Sequence, residues 1–440
     1  MAGLFGRTRL RDAAKLIETS GIETAIDIVQ LWHYDYHHGT LKTDKETSRE
    51  QQFNQDFFMK ILGYKEKPTN PYTFTPKDTT SGGHYPDAVL RYTDESAGID
   101  NVSAVVELKG ASVHLDKPQQ REGNLTPVQQ AFKYKPQYKA CPFVVVSNFY
   151  EFRLYNDNQL DFERWTLDDL VDPTDGYIKF KSWYVLLCSE NMVSAQGPSV
   201  TQNLLSTIRQ DQEEIGKKFY TEYKDVRIEL LKDIWRNNPS TRDKFDLAIQ
   251  KAQTVIDRIV FACFAEDMDL LPEMIVPRVM EEARRSIYGE SLWEHFKRFF
   301  KAVDKGSAQL GIPTGYNGGL FADDVLVDAF QISDPVMERI ANLSRFDYRE
   351  ELRVNVLGHI FEQSISDLEE IRRKIREDKT PLNISEPAPP GRRKKEGIFY
   401  TPDYIVRFIV DSTLGAYLRK QEQLVQRKHK LTGRLGEYGL

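Results

Sequence analysis

The chain has 440 residues, of which 40% are hydrophobic, and a formal net charge of −6. This length suggests two or three domains of a globular protein, and the sequence contains neither an apolar run long enough for a membrane helix nor an N-terminal secretory signal. Its three cysteines, Cys141, Cys188 and Cys263, lie far apart in apolar surroundings. They are expected to be reduced core residues of a cytoplasmic protein, which excludes a disulfide framework. Basic and acidic residues nearly balance, so the overall charge gives no direct support to nucleic-acid binding.

A histidine pair is the first chemically notable feature. His33 and His37 are four residues apart in a predicted helix, so both imidazoles would lie on one face. Zinc would need a further ligand there, and no nearby Cys or acidic–His cluster offers a persuasive one. The sequence therefore favours aromatic packing at a helix end.

Two apolar runs further along carry the main candidate site. The first, residues 85–90, contains Asp87, and the second, residues 104–110, contains Glu107 and Lys109. Side chains alternate along a strand, so Glu107 and Lys109 would share one side and Leu108 would take the other. The second run is apolar on both sides, which is typical of a central strand covered by helices.

These residue types suit phosphodiester chemistry. Two carboxylates are the oxygen ligands that Mg²⁺ prefers, and a bound metal makes a hydroxide nucleophile accessible at neutral pH. The Lys109 ammonium could orient the attacking water or offset charge in the transition state. A Glu-x-Lys pair also occurs by chance in solvated surface strands, so the pattern alone does not establish catalysis.

The next predicted elements complete an α/β core. Thr126 and Pro127 form a helix start, and Gln130 and Tyr134 would share a face of that helix. Apolar or alternating runs at 142–148 and 151–156 predict two more strands. Together these elements predict a mixed sheet flanked by helices.

Asp87, Glu107-Leu108-Lys109 and Gln130-x-x-x-Tyr134 resemble the core of PD-(D/E)xK nucleases, in the subgroup with Gln-x-x-x-Tyr on the following helix. The resemblance implies that Asp87 and Glu107 bind the metal, that Lys109 assists the water and that Gln130 stands near the metal and the DNA backbone. The family often adds a Glu on the first core helix, which implies a further metal ligand, and Glu50, in a helix predicted over 48–58, is the candidate. An acidic residue in a first helical turn is also favoured by the helix dipole without any catalytic role.

From about residue 200 to 379 the pattern becomes helical. The run 254–267 predicts a mostly buried helix that ends near Leu271 and Pro272. A further amphipathic helix places Trp293, Phe296 and Phe300 on one stripe, which is typical of bundle core. This region is interpreted as a rigid connector.

Near the C-terminus, a proline-rich segment and a basic run precede Gly397-Ile398-Phe399-Tyr400-Thr401-Pro402. Thr401 and Pro402 favour the start of an apolar helix. The motif resembles the entry segment of N6-adenine DNA methyltransferases, which implies that Phe399, Tyr400, Thr401 and Pro402 lie against S-adenosylmethionine. The chain as a whole is similar to the N-terminal part of a type IIG fused restriction-modification enzyme.

The resemblance implies a type II site-specific deoxyribonuclease that uses Mg²⁺ and acts on double-stranded DNA. The predicted domains are an endonuclease over 1–195, an all-α connector over 196–380, a linker over 381–396 and the first helix of an incomplete methyltransferase domain over 397–440. The sequence stops before a Gly-rich cofactor loop and an adenine-binding motif, so we expect a fragment or split product whose methyltransferase and target-recognition domains act in cis or in trans. One active site cuts one strand, so double-strand cleavage would need a transient dimer or two encounters. A catalytically silent scaffold or DNA-binding portion of a methyltransferase stays the alternative.

Overall fold

A computed structural model describes residues 3–44, 46–78, 85–119, 123–316, 318–352, 354–384, 401 and 403–429. Spatial contacts divide the chain into two compact units, residues 1–210 and 211–440. The bounds of the four domains proposed from the sequence stay predictions. We describe each unit by itself.

The first unit is built on a mixed six-stranded sheet in which spatial order follows chain order. Its strands are β1 (Tyr72–Pro76), β2 (Ala88–Asp94), β3 (Ile99–Leu108), β4 (Phe143–Ser147), β5 (Glu151–Tyr155) and β6 (Phe162–Thr166). Strands β3 and β4 pair in parallel and the other neighbours are antiparallel. The parallel pair is joined through helix α5 (Pro127–Tyr134), as a parallel connection requires a crossover. A mixed sheet flanked by helices was predicted, and the structure confirms it.

Both faces of β3 are buried, as predicted. Val105 belongs to a core cluster that contains Val128 and Ala131 of α5. Ala104 and Val106 belong to a larger cluster on the other face. Side chains alternate along a strand. Glu107, two residues after Val105, therefore points toward the α5 side of the sheet.

The larger cluster is formed with the remaining helices of this unit. These are α1 (Arg7–Lys15), α2 (Glu23–His37), α3 (Thr40–Thr43), α4 (Glu46–Phe53), α6 (Leu167–Leu170), α7 (Ile178–Leu187) and α8 (Ser189–Met192), with a π-helix at Asn54–Ile61. Short 3-10 turns at Thr19–Gly21 and Lys135–Gln137 contribute no buried residue. Trp32 of α2 packs edge-on against Phe53 and Phe57, with ring centroids 5.4 and 5.5 Å apart. This aromatic packing fixes α2 and α4 on the sheet face opposite α5.

The described part of the second unit is helical and contains no strand. Its elements are α9 (Val200–Asn237, which begins in the first unit), α10 (Phe245–Asp267), α11 (Ile275–Arg285), α12 (Leu292–Lys305), α13 (Val325–Ala329), α14 (Asp334–Ala341) and α15 (Val354–Asp378), with 3-10 turns at Pro239–Lys244, Ala308–Leu310 and Asn342–Arg345. Trp293, Phe296 and Phe300 are almost completely buried, which confirms the predicted core stripe.

Helix α10 ends earlier than predicted. The sequence placed its end near Leu271 and Pro272, whereas the last helical residue is Asp267. The backbone N–H groups of Leu270 and Leu271 both donate to the carbonyl oxygen of Ala265, and Asp269 has a φ of 59°. A left-handed residue followed by such backward hydrogen bonds is a common way to terminate a helix.

The C-terminal segment contains helices Asp403–Val410 and Ala416–His429 with a π-helix at Asp411–Gly415 between them. The first of these agrees with the helix predicted after Pro402. Most of the Pro-rich and basic linker lies outside the described residues. Among the described helices, none combines the length and the apolar character that a membrane span requires.

Candidate functional site

The ends of β2 and β3 bring two carboxylates together. Ala88 pairs with Val106 across the antiparallel ladder, so Asp87 and Glu107 occupy facing positions next to that pair. Asp87 Oδ2 accepts a hydrogen bond from the Leu108 backbone N–H at 2.7 Å. This bond fixes the Asp87 side chain beside the next strand.

Lys109 completes the group. Its Nζ forms a short ion pair with Glu107 Oε1. Only 1% of Glu107 and 7% of Lys109 are exposed, and the Lys109 backbone N–H donates to the Ser147 carbonyl oxygen at 2.8 Å. The sheet therefore holds a buried carboxylate, its lysine and a second carboxylate at adjacent strand ends.

The electrostatics of the two acids are strongly perturbed. Burial raises the pKa of Asp87 to about 6, although Lys109 and the Leu108 N–H act in the opposite direction. Burial, followed by repulsion from Asp87, raises the pKa of Glu107 to about 8. Burial tends to lower the pKa of Lys109, but Glu107, Asp87 and Glu46 more than offset it and the pKa is raised. Burial and neighbouring carboxylates thus disfavour the ionised form of both acids, and Lys109 offsets this only in part.

Helix α4 adds acidic residues to this charge. It begins at Glu46, two residues before the predicted start at Ser48. Glu46 Oε2 accepts a hydrogen bond from the Gly110 backbone N–H at 2.7 Å, and its charge raises the pKa of Asp87 and of Glu107. Sequence reasoning missed Glu46 because the helix start was placed beyond it.

Glu50, the predicted first-helix acid, lies one turn further along α4 and is 7% exposed. Its charge also raises the pKa of Asp87, and its Oε2 lies 3.3 Å from Lys77 Nζ. The first-turn dipole explanation applies to Glu46 instead, because Glu46 is the acidic residue in the first turn. Both glutamates face the strand ends since residues four apart share a helix face.

Helix α5 starts as predicted and carries the remaining candidate. Thr126 caps it through a reciprocal capping box with Gln129. Gln130 Nε2 donates to Tyr134 Oη at 3.1 Å, while its buried Oε1 lacks a hydrogen-bond partner within the described part of the chain. An unpaired buried amide oxygen is costly, so this atom is available to a ligand on the α5 side of the sheet.

The side chains present fit a hard divalent cation. Asp87 and Glu107 offer carboxylate oxygens, and Mg²⁺ is held by one or two such groups. Glu46 and Glu50 add negative charge around them. A dication would offset the repulsion between carboxylates that adds to burial in raising the pKa of Asp87 and of Glu107.

Most of the residues predicted to contact S-adenosylmethionine lie outside the part of the chain that the structure describes. Phe399, Tyr400 and Pro402 lie outside the described residues, and Thr401 is exposed. Their assignment stays a prediction that rests on the motif.

The mixed sheet, its flanking helices and the grouped carboxylates are consistent with an α/β nuclease-like core. Residues 23–185 match the family model described as MmeI, N-terminal domain. This match indicates the N-terminal region of an MmeI-like type II restriction enzyme, and it relates the chain to restriction-modification systems. Comparisons with curated proteins and with solved structures give no match.

Proposed function

We propose that the chain is the Mg²⁺-dependent endonuclease portion of a restriction-modification enzyme, which hydrolyses phosphodiester bonds of double-stranded DNA. The observation that carries this proposal is the convergence of Asp87, Glu107 and Lys109 at the ends of adjacent strands. The match of residues 23–185 to the MmeI N-terminal family model supports it.

In this proposal the carboxylates of Asp87 and Glu107 hold the metal, which when bound lowers the pKa of water and offsets phosphate charge. The hydrogen bond from the Leu108 N–H keeps Asp87 in position before the metal arrives. Preorganised ligands of this kind avoid reorganisation during the reaction.

Lys109 would change partners during the reaction. Without a metal its ammonium neutralises Glu107. If Glu107 bound a cation, the Lys109 ammonium would lose this ion pair. It would then be able to donate a hydrogen bond to the attacking water or to a phosphate oxygen. Burial in a low-dielectric site strengthens either interaction.

The other residues act at a distance from the reacting atoms. Glu46 and Glu50 increase the attraction for a cation, and the unpaired Gln130 Oε1 is proposed to accept a hydrogen bond from a water in the metal's shell. We further propose that S-adenosylmethionine binds near Phe399 to Pro402 once the methyltransferase domain is complete, and that nuclease sites pair transiently to cut both strands.

The Glu107–Lys109 ion pair also favours a second candidate. A buried ion pair occupies a ligand oxygen, so the core could be silent and serve as a scaffold or DNA-binding portion of an adenine-specific methyltransferase. Both candidates place the chain in the same system and differ in whether this site cleaves.

Conversion of supercoiled plasmid to nicked or linear DNA tests the proposal, with Mg²⁺ or Mn²⁺ and with EDTA. The wild type is compared with Lys109→Ala and with Lys15→Ala, which removes an exposed lysine of α1. We expect metal-dependent cutting by the wild type and Lys15→Ala, and a loss of at least about a hundredfold in Lys109→Ala.

Equal cutting by Lys109→Ala would refute the assigned role of the lysine. If no variant cuts, the assay is repeated with the methyltransferase and target-recognition domains supplied. Continued absence of cutting there would favour the silent scaffold.

A further inference from the structure

A second group of ligating side chains lies on α2 and α6. His33 Nε2 and His37 Nε2 lie 2.9 and 2.7 Å from the same atom, Asp168 Oδ1. The three candidate ligand atoms all lie within 4.8 Å of one another. Two imidazoles and a carboxylate therefore converge on one point.

Asp168 lies beside the histidine pair although it is distant from it in the sequence. From the sequence, a zinc site was disfavoured because no persuasive further ligand was near. Asp168 supplies that ligand, but it is 131 residues away from His37 in the chain. The fold brings it close because α6 follows β6 directly and contacts α2.

We propose that His33, His37 and Asp168 bind one zinc ion. The donor set of two imidazole nitrogens and one carboxylate oxygen suits Zn²⁺, whereas Mg²⁺ prefers oxygen ligands. Both Nε2 atoms already lie within hydrogen-bond distance of the same carboxylate oxygen, so a cation bound between them would replace these contacts.

The movement required of the Asp168 oxygen is small. In a tetrahedral zinc site with bonds of about 2.0–2.1 Å, ligand atoms are separated by about 3.3 Å. Asp168 Oδ1 therefore has to move away from each nitrogen by about 0.5 Å, which a side-chain rotation allows at a half-exposed position. The side chains of His37 and Asp168 are 48% and 47% exposed, so a cation can enter from solvent and water can take the fourth position.

Outer contacts hold the carboxylate in place. Tyr150 Oη donates to Asp168 Oδ2, which leaves Oδ1 for the histidines. Tyr150 is itself stacked on Tyr36 of α2, with ring centroids 3.9 Å apart and planes within 11°. The carboxylate is thus held in place by contacts outside the proposed metal site.

This site is separate from the carboxylates at the strand ends. None of the three proposed zinc ligands, His33, His37 and Asp168, belongs to the proposed nuclease site. A zinc ion here would join α2 to α6 across a long loop of chain, and it would stabilise the fold by binding the native state.

Zinc binding to the full chain tests the proposal by calorimetry and by metal analysis after dialysis. The wild type is compared with His37→Ala and Asp168→Asn. His38→Ala is the matched control, because His38 lies at the same helix end but is hydrogen bonded to the Tyr34 carbonyl oxygen and stacked on the Tyr34 ring. Asp87→Asn is added to test whether the zinc binds at the strand ends instead.

We expect one zinc per chain in the wild type, His38→Ala and Asp87→Asn. Loss of outer-shell partners lowers metal affinity by about 10–100-fold, so loss of a direct ligand in His37→Ala should lower it by at least about a hundredfold. Tyr150→Phe should lower it by about tenfold on the same basis.

Thermal unfolding gives a second readout. Zinc should raise the melting temperature of the wild type and His38→Ala but not that of His37→Ala, and circular dichroism verifies that each variant is folded. Equal zinc affinity in the wild type and His37→Ala, or loss of the zinc in Asp87→Asn instead, would overturn the proposal.

Discussion

Asp87→Asn is expected to stabilise the metal-free protein while it removes a metal ligand. Burial raises the pKa of Asp87 from 3.8 to about 6. A raised carboxyl pKa means that the folded state favours the protonated form, so stability is lost as the pH rises through about 6. A shift of about two units corresponds to about 3 kcal/mol at pH 8. Asparagine removes this charge and keeps an oxygen that can accept the Leu108 N–H.

The assay is urea unfolding of the full chain at pH 8 and pH 4 in EDTA. The free energy of unfolding of Asp87→Asn should exceed that of the wild type by up to about 3 kcal/mol at pH 8. This difference should be smaller at pH 4, where the wild-type carboxyl is protonated in the folded state. Asp87→Ala is the control. It removes the same charge but leaves the Leu108 N–H without its acceptor, which costs about 1–3 kcal/mol.

Magnesium should reverse the order of stability. The wild type should gain stability with added Mg²⁺, since a ligand that binds only the native state stabilises it, and Asp87→Asn should gain little. A variant less stable than the wild type at pH 8 in EDTA, or a gain independent of pH, would refute the charge argument.

Three further predictions concern other parts of the chain. Glu46→Gln keeps an acceptor for the Gly110 N–H but removes a charge beside the carboxylates. The Mg²⁺ affinity measured by calorimetry should therefore fall about tenfold, and unchanged affinity would exclude Glu46 from the site. Phe296→Ala empties a fully buried position and should lower the free energy of unfolding in urea by about 3–5 kcal/mol, and a loss below about 1 kcal/mol would contradict its core assignment. Burial raises the pKa of Asp257 to about 6. Asp257→Asn should therefore increase the free energy of unfolding by up to about 3 kcal/mol at pH 8 and by less at pH 4. Equal effects at both pH values would argue against this pKa shift.

The sequence predicted what depends on local periodicity. Alternation along β3 placed Glu107 and Lys109 on one side of the strand, and the structure pairs these side chains. Thr126 and Pro127 were sufficient to locate the start of α5, because capping chemistry is specified within four residues.

It failed where the answer depends on a helix boundary or on distant chain segments. Glu46 was missed because the start of α4 was placed two residues late, and helix ends are defined less sharply than helix interiors. Asp168 was missed because no local pattern links a short helix after β6 to a histidine pair more than a hundred residues earlier. The place of Gln130 beside a metal stays a prediction, and the structure adds its hydrogen bond with Tyr134 and an unpaired side-chain oxygen.

The two cation sites proposed for the first unit differ in how they exist without a metal. At the strand ends, burial and repulsion raise the pKa of both Asp87 and Glu107, so a cation would relieve an unfavourable arrangement. At the helix pair, Asp168 is already satisfied by three donors and its pKa is lowered, so a cation has to replace hydrogen bonds that are made. The first arrangement favours a hard ion that neutralises charge, even one bound weakly. The second can be loaded only by a metal whose bonds to imidazole are stronger than those hydrogen bonds, which is why we expect zinc there and Mg²⁺ at the strand ends.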